Sequence, residues 1–161
     1  MTRADTTPDT TDREIIVTRL IAAPRALVWQ MFTDPAHVIH WWGPDGFRNT
    51  NLEHNLRVGG AWRFIMHGPD GTDYPNRAIY TEITPPERLA YAHDADAGGD
   101  PAHAFNAEVT LTDEAGQTRV TLRLILQTVE QRQAVTDFAV EGAEQTLARL
   151  DAYVSARTGS V

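Results

Sequence analysis

Arg77 is the first polar side chain whose type and position could do chemistry on a bound molecule. It shares strand parity with Ile79 and Ile83, which predicts that its guanidinium points to a buried side of a strand. A buried guanidinium needs a partner, and a carboxylate or phenolate on a ligand would supply one. A salt bridge to an Asp or Glu of the chain, or a position at the surface, would satisfy it equally well.

His93 is the second candidate, because it shares strand parity with the apolar residues Leu89 and Tyr91. An imidazole titrates near neutrality, so a histidine beside a ligand could act as an acid or a base. A hydrogen-bonded histidine in the wall of a core would produce the same pattern. Tyr74 completes the set of polar groups that an enzyme built on this chain would use.

Metal and cofactor chemistry find little support in the sequence. His37 and His40 lie three residues apart on a predicted helix, but no carboxylate accompanies them and the bulky Trp41 follows, so we predict no metal site. The chain has no cysteine, which excludes disulfides, thiolate ligands and cysteine nucleophiles. It has no nucleophile elbow, dinucleotide-binding glycine pattern or zinc-ligand spacing, and we expect no cofactor.

Composition and charge exclude further classes of protein. A chain of 161 residues with 42% hydrophobic and 22% charged residues is typical of one globular domain. Its net charge of −8 argues against nucleic acid, which requires a basic surface. All 14 basic residues are arginine, so Schiff-base chemistry on lysine is excluded. No apolar run approaches the roughly 20 residues that span a bilayer, and we expect a cytoplasmic protein without membrane insertion.

Hydrophobic periodicity predicts the elements that must position these side chains. A strand over 14–21 is followed by two short helices, opened by Ala23-Pro24 and by Asp34-Pro35. Six strands separated mostly by glycine- and proline-rich turns then form an antiparallel meander, near 47–56, 61–68, 73–83, 88–93, 105–111 and 120–126. A capping box at 128–131 begins a helix that reaches residue 156, about 40 Å long.

The remaining segments carry no periodic pattern. Residues 1–12 are polar and rich in Thr and Asp, which predicts a disordered tail ahead of a single domain over 13–157. The stretch 95–103 contains Gly98-Gly99-Asp100-Pro101 and is predicted to be a flexible loop.

Aromatic residues mark where a core or a cavity would lie. Trp41 and Trp42 are adjacent, so both cannot point into one core; one could gate an apolar pocket, or the pair could plug the short helices against the sheet, and we favour the plug. Apolar strand faces are predicted to be buried in either case, and their largest members are Trp62, Phe64, Met66 and Phe105.

Gly142 interrupts the apolar stripe of the long helix, on which Phe138 lies. Glycine inside a helix costs up to about 1 kcal/mol relative to alanine. We therefore expect Gly142 either to permit close contact with the sheet or to leave room for a ligand.

Several short motifs, taken in their order along the chain, carry a resemblance to a known family. They are Ala23-Pro24-x4-Val28-Trp29, Phe32-Thr33-Asp34-Pro35, Trp41-Trp42-Gly43-Pro44-x2-Phe47, Gly59-Gly60-x-Trp62, Met66-x-Gly68-Pro69-Asp70-Gly71, Tyr74-Pro75-Asn76-Arg77, Glu82-Ile83-x-Pro85-Pro86-Glu87-Arg88-Leu89, Glu141-Gly142 and Thr146-Leu147-x-Arg149-Leu150. With these motifs, residues 14 to 154 resemble the bacterial proteins similar to the activator of the heat-shock-protein-90 ATPase, members of the START-like, birch-pollen-allergen-like superfamily.

The resemblance implies an α+β helix-grip fold. In that fold a curved antiparallel sheet of about seven strands, with two short helices after the first strand, is closed by a long C-terminal helix over an apolar cavity. Three functions are compatible with it. The first is binding of a small hydrophobic or aromatic molecule in the cavity. The second is a cyclase, dehydratase or hydrolase that uses Arg77, His93 or Tyr74.

The third function is that of an adaptor, in which an exposed tryptophan edge binds a chaperone or a second copy of the chain. We expect a monomer or a homodimer. Because fold alone does not select among activities, the cavity and its polar groups must decide between the three hypotheses.

Overall fold

An antiparallel sheet, with seven strands in the described part of the chain, forms the frame of the protein. The computed structural model describes residues 9–94 and 104–158, so the predicted loop at 95–103 and most of the predicted tail lie outside the described residues. The strands are β1 (Glu14–Ile21), β2 (Arg48–His54), β3 (Ala61–His67), β4 (Asp73–Thr84), β5 (Arg88–Asp94), β6 (Phe105–Glu114) and β7 (Gln117–Ile125). Their order in the sheet is β1-β7-β6-β5-β4-β3-β2, so the meander closes by pairing its last strand with β1.

Within the described ranges, three α-helices accompany the sheet: α1 (Arg25–Thr33), α2 (Pro35–Trp41) and α3 (Val129–Thr158). The two short helices connect β1 to β2, and α3 follows β7 and lies against β1, α1 and α2. The predicted α+β helix-grip arrangement is therefore confirmed. Among the described residues, no helix combines the length and the apolar character that crossing a bilayer requires.

The sheet is curved, and one of its faces is turned toward α3. Register irregularities occur in β2 between Asn51 and Glu53 and in β4 between Tyr80 and Glu82. Such irregularities bend a strand and increase its twist. The face toward α3, called the inner face below, carries buried residues from β1, β3 and β6, for example Val17, Phe64 and Val109.

The start of α3 is fixed by the predicted capping box. The Thr128 hydroxyl accepts a hydrogen bond from the Gln131 backbone N–H at 2.9 Å. The Gln131 side-chain oxygen in turn accepts one from the Gln127 backbone N–H at 2.6 Å. The first bond satisfies an N–H group that a helix terminus otherwise leaves free, and the second joins Gln131 to the residue before the N-cap.

The C-terminal half of α3 belongs to the core. Leu147, Leu150 and Val154 are buried there in one cluster with residues of α1, α2 and the sheet. The N-terminal half carries only half-buried apolar side chains on the corresponding face, such as Val135 and Ala139. The core is therefore filled at one end of α3 and incomplete at the other.

The N-terminal contacts of the domain extend ahead of β1. A short 3-10 turn covers Thr11–Arg13, and the Thr10 hydroxyl accepts a hydrogen bond from the Arg123 guanidinium of β7 at 3.1 Å. Thr10 thus contacts the sheet, although the sequence placed it in the tail. The domain boundary at residue 13 stays a prediction.

Candidate functional site

A cavity of about 580 Å³ lies between the N-terminal half of α3 and the inner face of the sheet. Its walls are mostly apolar and come from β5, β6 and β7 on one side and from α3 on the other. The segment after α2 closes one end with Trp42, Gly43 and Pro44. Phe138 and Tyr74 also line the cavity, and their 69% and 46% exposure shows that it opens to solvent beside them.

The structure divides the predicted site residues into two groups. Those that line the cavity are Trp42, Met66, Tyr74, His93, Phe105, Phe138 and Gly142. Those that lie elsewhere are Trp41, Trp62, Phe64 and Arg77. The role of the first group in binding is a proposal, which we take up below, whereas the positions of the second group correct the sequence interpretation.

Trp41 and Trp42 have different positions although they are neighbours. Trp41 is fully buried, packs edge-on against Phe32 at 4.9 Å between ring centroids, and donates its indole N–H to the Met31 carbonyl at 3.2 Å. It is the predicted plug and does not line the cavity. Trp42 turns the other way and forms part of the cavity wall. Because Trp42 follows the end of α2, its side chain leaves the helical direction that buries Trp41.

Trp62 and Phe64 fill the core instead of the cavity. Their rings stack with centroids 3.8 Å apart, and the Trp62 indole N–H donates to the Asn51 side-chain oxygen at 2.9 Å. Met66 continues the same strand face and reaches the cavity wall. One face of β3 therefore passes from the packed core to the edge of the cavity, a distinction that strand parity cannot make.

The prediction that Arg77 faces a buried ligand site is wrong. Its guanidinium makes two hydrogen bonds to the Asp94 carboxylate, at 3.1 and 2.7 Å, on the outer face of the sheet. The inner positions of β4 are Asn76, Ala78 and Tyr80, all of which are buried. Ile79 misled the parity argument because it lies on the outer face with Arg77. The alternative, a salt bridge to an acidic residue of the chain, is confirmed.

His93 is a polar group in the wall, held by a defined network. Its Nε2 lies 2.6 Å from the Asn76 side-chain oxygen, and the Asn76 side-chain N–H₂ donates to the Tyr74 carbonyl at 2.7 Å. Since that second bond fixes which end of the amide is the oxygen, His93 Nε2 must carry the proton and donate it. The ring stacks on Phe105 with centroids 4.6 Å apart.

The neutral form of His93 is strongly favoured. Burial lowers the pKa of His93 to about 4, and the nearby Asp94 carboxylate opposes this only in part. With Nε2 protonated, Nδ1 is an acceptor; it is buried and makes no hydrogen bond with the described residues. The cavity wall therefore holds an acceptor for which the described part of the chain provides no donor.

Asn76 and Tyr91 are wall residues that the sequence interpretation did not select. Both line the cavity, and burial raises the pKa of the Tyr91 hydroxyl, so it too is neutral. The only signal for Asn76 was the motif Tyr74-Pro75-Asn76-Arg77. Tyr91 was used only as an apolar neighbour that indicated the side on which His93 lies.

Gly142 provides room instead of close contact with the sheet. Among the described residues, a Cβ placed on it would have one neighbour within 4 Å outside its own helix, the Pro44 Cγ at 3.4 Å, which is ordinary van der Waals contact. No atom of the sheet comes that close. Of the two expected reasons for this glycine, the structure favours the space that its missing side chain leaves on the cavity side of α3.

Arg149 fixes the segment that carries Trp42. Its Nη1 donates to the carbonyls of Gly43 and Pro44 at 2.8 and 2.7 Å, and its Nη2 donates to that of Phe47 at 3.0 Å. Burial lowers the pKa of Arg149. A guanidinium in a planar fork can satisfy several carbonyls at once, so α3 holds this end of the cavity by its own side chain.

The two histidines considered for a metal site flank a tyrosine. His37 Nδ1 lies 2.8 Å from the Tyr153 hydroxyl, and the His40 ring stacks on Tyr153 with centroids 6.0 Å apart. Within residues 9–94 and 104–158, no three His, Cys, Asp or Glu side chains come together as metal ligands would. Glu82 accepts a hydrogen bond from the Arg88 guanidinium at 2.7 Å and is therefore a structural partner of that arginine.

Comparison with known proteins identifies the family to which this architecture belongs. The model of the family described as activator of Hsp90 ATPase homolog 1-like protein matches residues 22–155 of the chain. The chain belongs to this family. The match includes both short helices, the six strands of the meander and most of α3, and it confirms the resemblance stated from the motifs. No curated protein matches the chain.

Solved structures similar to this member of the activator of Hsp90 ATPase homolog 1-like family come from several bacteria. Protein Ms6760 from Mycobacterium smegmatis is 28% identical, with a TM-score of 0.79 and coverage of 92% of this chain and 94% of that one. A protein from Arthrobacter aurescens is 28% identical, with a TM-score of 0.82 and coverage of 96% and 92%. Protein NE0264 from Nitrosomonas europaea, 24% identical over 94% and 100% with a TM-score of 0.82, shares the fold.

Proposed function

We propose that this protein binds a small hydrophobic or aromatic molecule in the cavity between α3 and the sheet. The observation that carries the proposal is the cavity itself, about 580 Å³ in volume and mostly apolar. Small-molecule sites are typically concave, apolar and about 300–1,000 Å³, with a few polar groups that orient the ligand. His93 and Tyr91 supply such groups here.

An enzyme acting in the same cavity is the less favoured alternative. General-base catalysis is most efficient when the pKa of the base lies near the working pH, whereas the pKa of His93 is about 4. Arg77, the second candidate for catalysis, lies outside the cavity wall and pairs with Asp94. Tyr74 lines the cavity but has no partner in catalysis among the residues we predicted.

The adaptor hypothesis is less favoured, because none of the four tryptophans, Trp29 included, is exposed. Trp41 and Trp62 are buried, and Trp42 is half-buried in the cavity wall. We further propose a monomer or homodimer in the cytoplasm, with no nucleic acid partner, a view supported by the net charge of −8. Light scattering after size exclusion would measure the mass of the particle.

Dye binding tests the proposal directly. The neutral apolar dye N-phenyl-1-naphthylamine should bind with increased fluorescence. Gly142→Leu should weaken that binding by about 5- to 150-fold, because a side chain that competes with the dye for the same space costs about 1–3 kcal/mol. Gly142→Ala is the matched control: its Cβ meets Pro44 at ordinary contact distance, so dye binding should persist. Equal affinity in the wild type and Gly142→Leu would place the binding site elsewhere.

Native mass spectrometry of the purified protein gives an independent result. A small molecule that remains bound in the wild type and is absent from Gly142→Leu would support the cavity as its site. A molecule retained equally by both would not.

A further inference from the structure

Two polar groups on neighbouring inner positions of β5 have unused hydrogen-bonding capacity. His93 Nδ1 is buried and receives no hydrogen bond from the described residues. The Tyr91 hydroxyl likewise makes none with the described part of the chain, and Tyr91 and His93 both line the cavity. Buried polar groups without partners are rare in folded proteins, so the unpartnered Nδ1 of His93 calls for an explanation.

The hydrogen-bonding roles of the two groups are complementary to one ligand group. The Asn76 amide keeps the His93 proton on Nε2, so Nδ1 can only accept. The Tyr91 hydroxyl can donate. A ligand hydroxyl is both a donor and an acceptor, and it could therefore donate to His93 Nδ1 while accepting from Tyr91.

The charged residues around the cavity restrict the net charge of the ligand. Among the described residues that line the cavity there is no Arg or Lys, and the one charged residue, Glu108, binds Arg88 and Arg123 through its carboxylate at 2.9 and 2.8 Å. The sequence of residues 95–103 also contains no Arg or Lys. A ligand carboxylate would lose its hydration without gaining a counter-ion.

We propose that the ligand is a neutral, mostly apolar alcohol or phenol whose hydroxyl binds between His93 Nδ1 and the Tyr91 hydroxyl. This inference rests on the proposed function, since it names the class of molecule that the same cavity takes. The apolar body of the ligand then lies along Phe105, Val135 and Ala139, which continue the cavity wall.

Three naphthalene derivatives test the inference by isothermal titration calorimetry at pH 7. 1-Naphthol has the hydroxyl, 1-methoxynaphthalene cannot donate a hydrogen bond, and 1-naphthoate is an anion. We expect 1-naphthol to bind up to about tenfold more tightly than 1-methoxynaphthalene, the effect of one neutral hydrogen bond. Binding of 1-naphthoate should be weaker than that of both.

Two variants assign the preference to the two side chains. In His93→Phe, which keeps an aromatic ring beside Phe105, and in Tyr91→Phe, the affinity ratio of 1-naphthol to 1-methoxynaphthalene should fall toward one. Tyr91→Phe alone decides the matter if His93→Phe does not fold.

The failures are distinguishable. Equal binding of 1-naphthol and 1-methoxynaphthalene to the wild type, or an unchanged ratio in both variants, would overturn the hydroxyl site while leaving the apolar cavity intact. Tightest binding by 1-naphthoate would overturn the neutral class. Binding of none of the three, together with no dye binding, would overturn the proposed function itself.

Discussion

Replacing His93 should change how stability depends on pH, because this imidazole is neutral when folded and becomes protonated when the chain unfolds in mild acid. Burial lowers the pKa of His93 from its ordinary value of 6.5 to about 4. Between these values the unfolded chain binds more protons than the folded chain, so the free energy of unfolding rises with pH through this window. The contribution is complete above about pH 6.5 and is lost as the pH falls toward 4.

The magnitude follows from the two pKa values. Each pKa unit corresponds to about 1.4 kcal/mol, so the full contribution is on the order of 3 kcal/mol, and about 2 kcal/mol of it is lost between pH 7 and pH 5. His93→Phe has no group to protonate and keeps a ring against Phe105. Its free energy of unfolding should therefore fall by about 2 kcal/mol less than that of the wild type over the same interval.

Urea denaturation followed by tryptophan fluorescence at pH 7, 6 and 5 measures this difference. Tyr91→Phe is the control, since it alters the neighbouring inner position but leaves the imidazole and its Asn76 bond in place, and it should show the wild-type dependence. If the wild type and His93→Phe lose the same stability between pH 7 and pH 5, the histidine is not buried in its neutral form and the hydrogen-bond assignment fails with it.

Three further substitutions follow from the contacts of the cavity and its frame. Gly142→Ala should raise the free energy of unfolding by about 0.5–1 kcal/mol, because it restores helix propensity where the new Cβ meets Pro44 at ordinary contact distance; a loss of stability in thermal unfolding would refute this. Arg149→Met should lower the free energy of unfolding by about 2–3 kcal/mol, since it removes charged donors from three partly buried carbonyls. It should also free Trp42, seen as a change in fluorescence emission; an unchanged denaturation midpoint would contradict that role. Arg77→Ala should lower the free energy of unfolding by at most about 1 kcal/mol, as expected of a partly exposed ion pair, and should leave dye affinity unchanged. Weaker dye binding in a titration would indicate that Arg77 contributes to the binding site.

The order of elements could be predicted from the sequence because local chemistry determines it. The capping box at Thr128, the alternation in β6 and β7, and the turn residues between strands each act over a few neighbours, and all of them correspond to what the structure contains. The same locality limited the prediction for Arg77. Alternation separates two faces of β4 but does not say which one is inner, and Ile79 gave the wrong answer.

The site depended on relations between segments that lie far apart in the chain. Asn76 meets His93 only because β4 and β5 pair in one register, and that register fixes the tautomer of the histidine. The side chains of Trp41 and Trp42 point in different directions because α2 ends at Trp41. By itself, the sequence determined which segments are helices and strands and that a long helix closes the sheet.

Only the tertiary structure decided that the space under the N-terminal half of that helix is left unfilled and which polar groups face it. A cavity is a gap between elements, set by the curvature of the sheet and the path of α3, and no single segment encodes it.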